Sequence, residues 1–280
     1  MNARPTFLAV AGLPRAGSTL LCQLLASHPD IHCEGHSSPL CNALLQMRRF
    51  VSDDTFFLSQ LDVQFDTTYG HLKTGMQGFL RGWHANAGKP VVVDKNRAWL
   101  HCIEFLQELA PEAKLLVPVR DLVQVYGSIE ARHQDTILLD FIDHLADFDR
   151  FGRADQLFAQ DKIIGAPLSS ISAVQDLPQA VKDRLFFVRF EDLMAQPGAT
   201  MGRVFEWLGL PPCAIDVAHL PVAPNESDSH YRCKYSHLRS AVLQPPSKHD
   251  VPPRIARLIR ERHAWFFEWF YPMAGRPDMQ

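Results

Sequence analysis

Four short runs of apolar residues punctuate the chain, each ending on a glycine or on charged residues. Phe7 to Ala11 stops at Gly12, Pro90 to Val93 at Asp94-Lys95, Lys114 to Val119 at Arg120-Asp121, and Leu185 to Arg189 shortly before Glu191-Asp192. Unbroken apolar runs of this length predict strands buried on both faces, as in a parallel sheet. Between them the apolar period changes to that of helices. Leu20, Leu21, Leu24 and Leu25 share one face of a helix over 18–27, which His28-Pro29 stops. Further helices are predicted over 41–50, 72–87, 99–109, from Asp121 through His133, over 199–208 before Gly209 and Pro211-Pro212, and over 253–270. In the last of these, Ile255, Leu258, Ile259, Trp265 and Phe266 face the core.

Strands separated by helices imply right-handed crossovers. The expected fold is therefore α/β, a P-loop-like three-layer arrangement with a central parallel sheet flanked by helices, forming a single domain over 1–280. The Pro-, Ser- and His-rich stretch 213–252 reads as a loop over the sheet edge. Phe56-Phe57, Phe186-Phe187 and Trp265-Phe266-Phe267 read as core. Arg48-Arg49 and the group Asp147, Asp149, Arg150 and Arg153 read as solvated helix charges.

Charge changes where an anion site should be sought. The 280 residues carry a formal net charge of −3, which argues against a protein built for nucleic acid or an anionic membrane. Any anion must be held by a local cluster of arginines. The six cysteines show no CxxC pair or zinc-finger spacing, so reduced thiols in a cytoplasmic protein are expected. No apolar stretch approaches the ~20 residues of a spanning helix.

Ligands of open α/β sheets bind at the carboxyl ends of the strands. The first such loop reads Gly12-Leu-Pro-Arg15-Ala16-Gly17-Ser18-Thr19, the spacing of a Walker A loop with Ser18 where the lysine belongs. Its logic survives that change. Glycines turn a strand into a helix N-terminus, several N–H groups converge, and the helix dipole favours an anion. Arg15 supplies a cation, while Ser18 and Thr19 add hydroxyls. At the end of the third run stands Arg120, followed by Ser128 and Arg132, whose spacing of four puts them on one helix face. Together the two loops describe two separated anion sites on one nucleotide.

Pro14-Arg15-Ala16-Gly17-Ser18-Thr19 resembles the 5′-phosphosulfate loop of the sulfotransferases that use 3′-phosphoadenosine 5′-phosphosulfate (PAPS). Val119-Arg120 through Tyr126-Gly127-Ser128 resembles their 3′-phosphate motif, and Val188 to Leu193 with Phe205 to Pro211 is similar to a later block. The resemblance implies that Arg15, Ala16, Gly17, Ser18 and Thr19 bind the 5′-phosphosulfate, and that Arg120, Ser128 and Arg132 bind the 3′-phosphate. It also implies that Lys95 lies near the bridging oxygen, and that Tyr231-Arg232-Cys233-Lys234 is the loop closing over the nucleotide, with Lys234 in contact. Phe190 stands where the family often has tyrosine.

The implied reaction is in-line sulfuryl transfer to a hydroxyl or amine without a metal, because the transferred group carries less negative charge than a phosphoryl group and fixed cations can stabilise it. Arg15 and Lys95 would stabilise the leaving oxygen. A base must take the acceptor proton. An imidazole, with a usual pKa of ~6.5, makes His36 the first candidate and Glu34 its competitor. The acceptor leans towards a small metabolite, with peptide tyrosine or carbohydrate as alternatives. A P-loop kinase using ATP and magnesium, and a nucleotide-binding module without catalysis, stay open.

Overall fold

The four apolar runs become strands of one parallel sheet, and a fifth, very short strand joins them. β1 (Thr6–Val10), β2 (Ile31–His32), β3 (Val91–Lys95), β4 (Lys114–Val119) and β5 (Leu185–Arg189) lie in the order β2-β3-β1-β4-β5. Every pairing is parallel, and the register places Val10 beside Lys95 and Val119 beside Arg189. The structure, a computed structural model, describes residues 5–140, 144–221, 226–228, 232–237 and 240–272, with the side chains of 222–239 excluded.

The helices up to the second half of the sheet are α1 (Ser18–Ala26), α2 (Leu40–Asp53), α3 (Thr55–Trp83), α4 (Ala98–His101), α5 (Ile103–Leu109) and α6 (Leu122–Asp135). They are followed by α7 (Arg150–Phe158), α8 (Gly165–Ala173), α9 (Gln179–Lys182), α10 (Phe190–Ala195), α11 (Pro197–Leu208), α12 (Pro253–Arg262) and α13 (Ala264–Phe270). Strand side chains alternate between faces, so β1 feeds two cores. Phe7 and Ala9 pack with Trp99, Val117, Tyr126 and Phe266 on one side. Leu8 and Val10 pack with Leu21, Leu24, Leu116 and Phe205 on the other. Helices cover both faces, which is the expected three-layer architecture.

Several expectations are corrected. The predicted helix over 72–87 is the second half of α3, which starts at Thr55 where the Asp54 carboxylate accepts from the N–H of Phe57 (2.7 Å) and breaks locally at Gln64. Phe56, expected in the core, is 83% exposed on that helix. The helix over 99–109 divides at Cys102, and that over 253–270 divides at His263. β2 escapes sequence reading because two residues carry no period. The stretch 213–252 is not all loop, since it contains the antiparallel pair β6 (Glu226–Asp228) and β7 (Arg232–His237).

Arg153 is also not a surface charge. Its guanidinium grips the Glu130 carboxylate with Nε to Oε2 at 2.8 Å and Nη2 to Oε1 at 2.7 Å, and both side chains are buried between α6 and α7. Periodicity could not reveal it, because the partner lies on another helix. Among the described residues no helix is long and apolar enough to cross a membrane.

Candidate active site

The loop after β1 owes its shape to two glycines. A Cβ on Gly12 would come within 2.4 Å of the Pro118 carbonyl oxygen, so only glycine lets β1 end so close to β4. Gly17 sits at φ 82°, in the left-handed region, and a Cβ there would meet the Phe190 ring at 2.5 Å. Gly17 caps α1, whose first turn carries no side-chain cap. The first-turn N–H groups of a helix lack intrahelical acceptors, so this end suits an anion.

Arg15 also adopts a left-handed conformation, with φ 57°. For a side chain with a Cβ this costs about 1–2 kcal/mol, and two contacts hold it in place. Arg120 Nη1 donates to the Arg15 carbonyl oxygen at 3.0 Å. Arg15 Nε donates to Ser128 Oγ at 3.1 Å. Three residues from the end of β1, the end of β4 and the middle of α6 thus meet at one place.

Arg120 is buried, and its guanidinium lies 4.5 Å over the Phe190 ring. Burial pulls its pKa below the usual arginine value; Glu191 opposes the effect and Arg15 adds to it. It stays a cation, as arginine does in proteins, and a buried cation between aromatic and backbone is poised for an anion. Beside this cluster opens a cavity of about 300 Å³, bordered by Arg15, Thr19, Arg120, Phe190, Val242 and Gln244. One wall comes from the late segment. Gln23 Nε2 donates to the carbonyls of Pro221 (3.0 Å) and Ser240 (3.3 Å), tying α1 to it.

Lys95 ends β3 on the other side of the loop. Its Nζ donates to Thr19 Oγ1 at 3.1 Å, and its backbone carbonyl accepts from the N–H of Ser38 at 2.9 Å. That backbone bond, with the bridge between Ser37 and Lys95, draws the 33–38 stretch to the same strand ends. The two competing base candidates then prove to be partners, since His36 Nε2 lies 2.8 Å from Glu34 Oε2. Both side chains are about half exposed. A small cavity of about 40 Å³ lies between Glu34, His36, His84, Asp94 and Lys95.

Asp94, the acidic residue on a neighbouring strand that could serve a kinase as magnesium ligand, is fully buried and accepts from Trp99 Nε1 at 2.6 Å. Its other oxygen lies 3.5 Å from His84 Nε2. Arg132 lies one turn beyond Ser128, half exposed and 3.4 Å from Asp135. Lys234 belongs to β7, but its side chain, like Tyr231, lies outside the described residues. The sequence reading missed Phe190 as a structural member of the site, and it missed His84, Gln23 and Gln244. Phe190 carried a usable signal, an aromatic directly after a strand end; the others carried none.

The chain is similar to known proteins in sequence and in fold. The chain is 34% identical over 116 residues to protein-tyrosine sulfotransferase 1 of Homo sapiens, a match covering 40% of this chain and 30% of that protein. It is 26% identical over 212 residues to protein-tyrosine sulfotransferase 1 of Danio rerio, covering 75% of this chain and 55% of the relative. The chain thus spans little more than half of these relatives at most. In fold it is similar to the sulfotransferase domain from the curacin biosynthetic pathway, with a TM-score of 0.51 and 15% identity over 94% of this chain and 99% of that one. The family model described as the sulfotransferase family matches residues 6–214, from β1 past the end of α11. With both predicted anion loops inside that span, the chain belongs to the sulfotransferase family.

Proposed function

We propose that the protein transfers a sulfuryl group from PAPS to an acceptor hydroxyl or amine, in line and without a metal. The observation that carries this reading is the convergence of Arg15, Arg120 and Ser128, linked at 3.0 and 3.1 Å, beside a cavity of about 300 Å³ at the strand ends. In the step, the acceptor atom forms a bond to sulfur while the bond from sulfur to the 5′-phosphate oxygen breaks, and that oxygen keeps the electron pair. Arg15, Lys95 and the N-terminal turn of α1 stabilise the charge left on the phosphate. His36, held by Glu34, takes the acceptor proton.

The metal-free reading is supported by Ser18 in place of the P-loop lysine and by Asp94 being committed to Trp99. The 3′-phosphate falls to Arg120 and Ser128, with Arg132 at its rim. The acceptor is a small metabolite in our reading. The names of the relatives support peptide tyrosine as the second choice. A cytoplasmic setting belongs to the same proposal.

The test is calorimetric binding of adenosine 3′,5′-bisphosphate with and without magnesium, for the wild type and Arg120→Ala. Magnesium-independent binding, weakened by the substitution, is the expected result. Absence of binding, together with magnesium-dependent binding of ATP, would replace this reading with a kinase.

A further inference from the structure

The segment 247–251 reaches the arginine cluster from the far end of the chain, and its backbone is fastened there. Arg120 Nη2 donates to the Ser247 carbonyl oxygen at 3.2 Å. Gln124 binds His249 reciprocally, its Nε2 donating to the His249 carbonyl (3.2 Å) and its Oε1 accepting from the His249 N–H (2.9 Å). On α6, Gly127 leaves room for this approach, since a Cβ there would lie 2.6 Å from His249 Cβ and 2.8 Å from Val251 Cγ2. His249 is thereby fixed against the helix turn that carries Ser128.

The surroundings of this imidazole are one-sided. Burial, and then Arg120, Arg15 and Arg132, all push its pKa below the usual histidine value. These cations come from three elements, the end of β4, the loop after β1, and α6. On its own segment Lys248 and Asp250 are of opposite charge. A neutral imidazole among three guanidinium groups is the expected state of the unliganded protein near neutral pH. A doubly charged phosphate placed among the same arginines offsets most of their charge, and an imidazole in direct contact with that phosphate then gains by taking a proton.

We propose that His249 is a ligand of the 3′-phosphate of the bound nucleotide and that nucleotide binding carries a proton onto it. The inference rests on the nucleotide reading above, and it adds both a residue and a proton linkage. A group whose pKa is higher in the complex than in the free protein makes affinity rise as pH falls. The rise begins at the bound-state pKa and ends at the free-state pKa. Each pH unit between the two adds up to about tenfold in affinity. The ligand's own phosphate, with a second pKa near ~6, acts in the opposite direction, because binding the dianion releases a proton. The two contributions are separable by sign.

The experiment is titration calorimetry of the full chain with adenosine 3′,5′-bisphosphate at about pH 7, in buffers of different ionisation enthalpy, and between about pH 6 and pH 8. Wild type, His249→Gln and His249→Arg are compared. Each variant keeps its Cβ against Gly127 and its backbone bonds to Gln124, and thermal unfolding confirms its folding. Wild type should take up more protons than His249→Gln and show the steeper gain in affinity on acidification. His249→Arg, a permanent cation, should bind without proton uptake on this residue. Adenosine 5′-phosphosulfate, which lacks the 3′-phosphate, should show no difference between wild type and His249→Gln. Equal proton counts and equal pH slopes for wild type and His249→Gln would overturn the proposal while leaving the nucleotide site standing. Failure of the wild type to bind the bisphosphate at all would overturn both.

Discussion

Substituting Glu130→Gln tests the buried ion cluster that clamps α6, the helix carrying Ser128, against α7. The wild-type carboxylate accepts two bonds from Arg153, one from Arg150 Nε at 3.1 Å and one from Gln134 Nε2 at 3.0 Å. Burial alone would raise its pKa, but the bonds from Arg153, Gln134 and Arg150 outweigh it and lower the value from 4.5 to about 2. That drop corresponds to about 3 kcal/mol of stability, and the side chain is only 4% exposed, so solvent screens it little. Glutamine keeps the shape and removes the charge, leaving the Arg153 guanidinium buried without its counterion, a change that typically costs about 3–5 kcal/mol.

Urea unfolding of both proteins at neutral pH should therefore show a loss of about 3 kcal/mol. The folded-state pKa lies below the unfolded one, so the contribution of Glu130 is complete above about pH 4.5 and declines as pH falls towards 2. The gap between wild type and variant should shrink over that same window. Adding Arg153→Met to Glu130→Gln should restore part of the loss, because it removes the stranded charge. A neutral-pH loss under about 1 kcal/mol, or a gap that stays constant on acidification, would refute the reasoning and make the cluster energetically equivalent to a surface pair.

Two further outcomes bear on the site. Gly17→Ala places a Cβ in a left-handed conformation, at about 1–2 kcal/mol, and drives it into Phe190, the ring beneath Arg120; bisphosphate affinity should fall by about tenfold or more, measured by calorimetry. His36→Ala should lower kcat by a factor of about 10²–10⁴ and leave nucleotide affinity unchanged, with Glu34→Gln showing a smaller fall of the same kind; unchanged turnover in His36→Ala would remove it as the base.

The parts legible in the chain were those whose cause is local. The β1 run, the turn through Gly12 and Gly17, and the start of α1 at Ser18 are contiguous, so the strand–loop–helix unit proposed to hold the anion could be read directly. The same holds for Arg120 at the end of β4 and Ser128 on α6, where one strand end and one helix face suffice. Helix α3 was only partly legible, because the exposed Phe56 and the break at Gln64 blur its period. Arg153 was misread because a charged helix position looks the same whether it faces water or Glu130.

What the sequence by itself determined is four of the five strands of the sheet and the two loops proposed to hold anions, since short-range pattern and steric rules fix each of these. Only the tertiary structure decided which distant residues share a site. It joined His36 to Glu34, slid Phe190 between Gly17 and Arg120, and fastened His249 from the far end of the chain onto Gln124. Such contacts depend on how strands and helices pack in space, and no spacing along the chain encodes them.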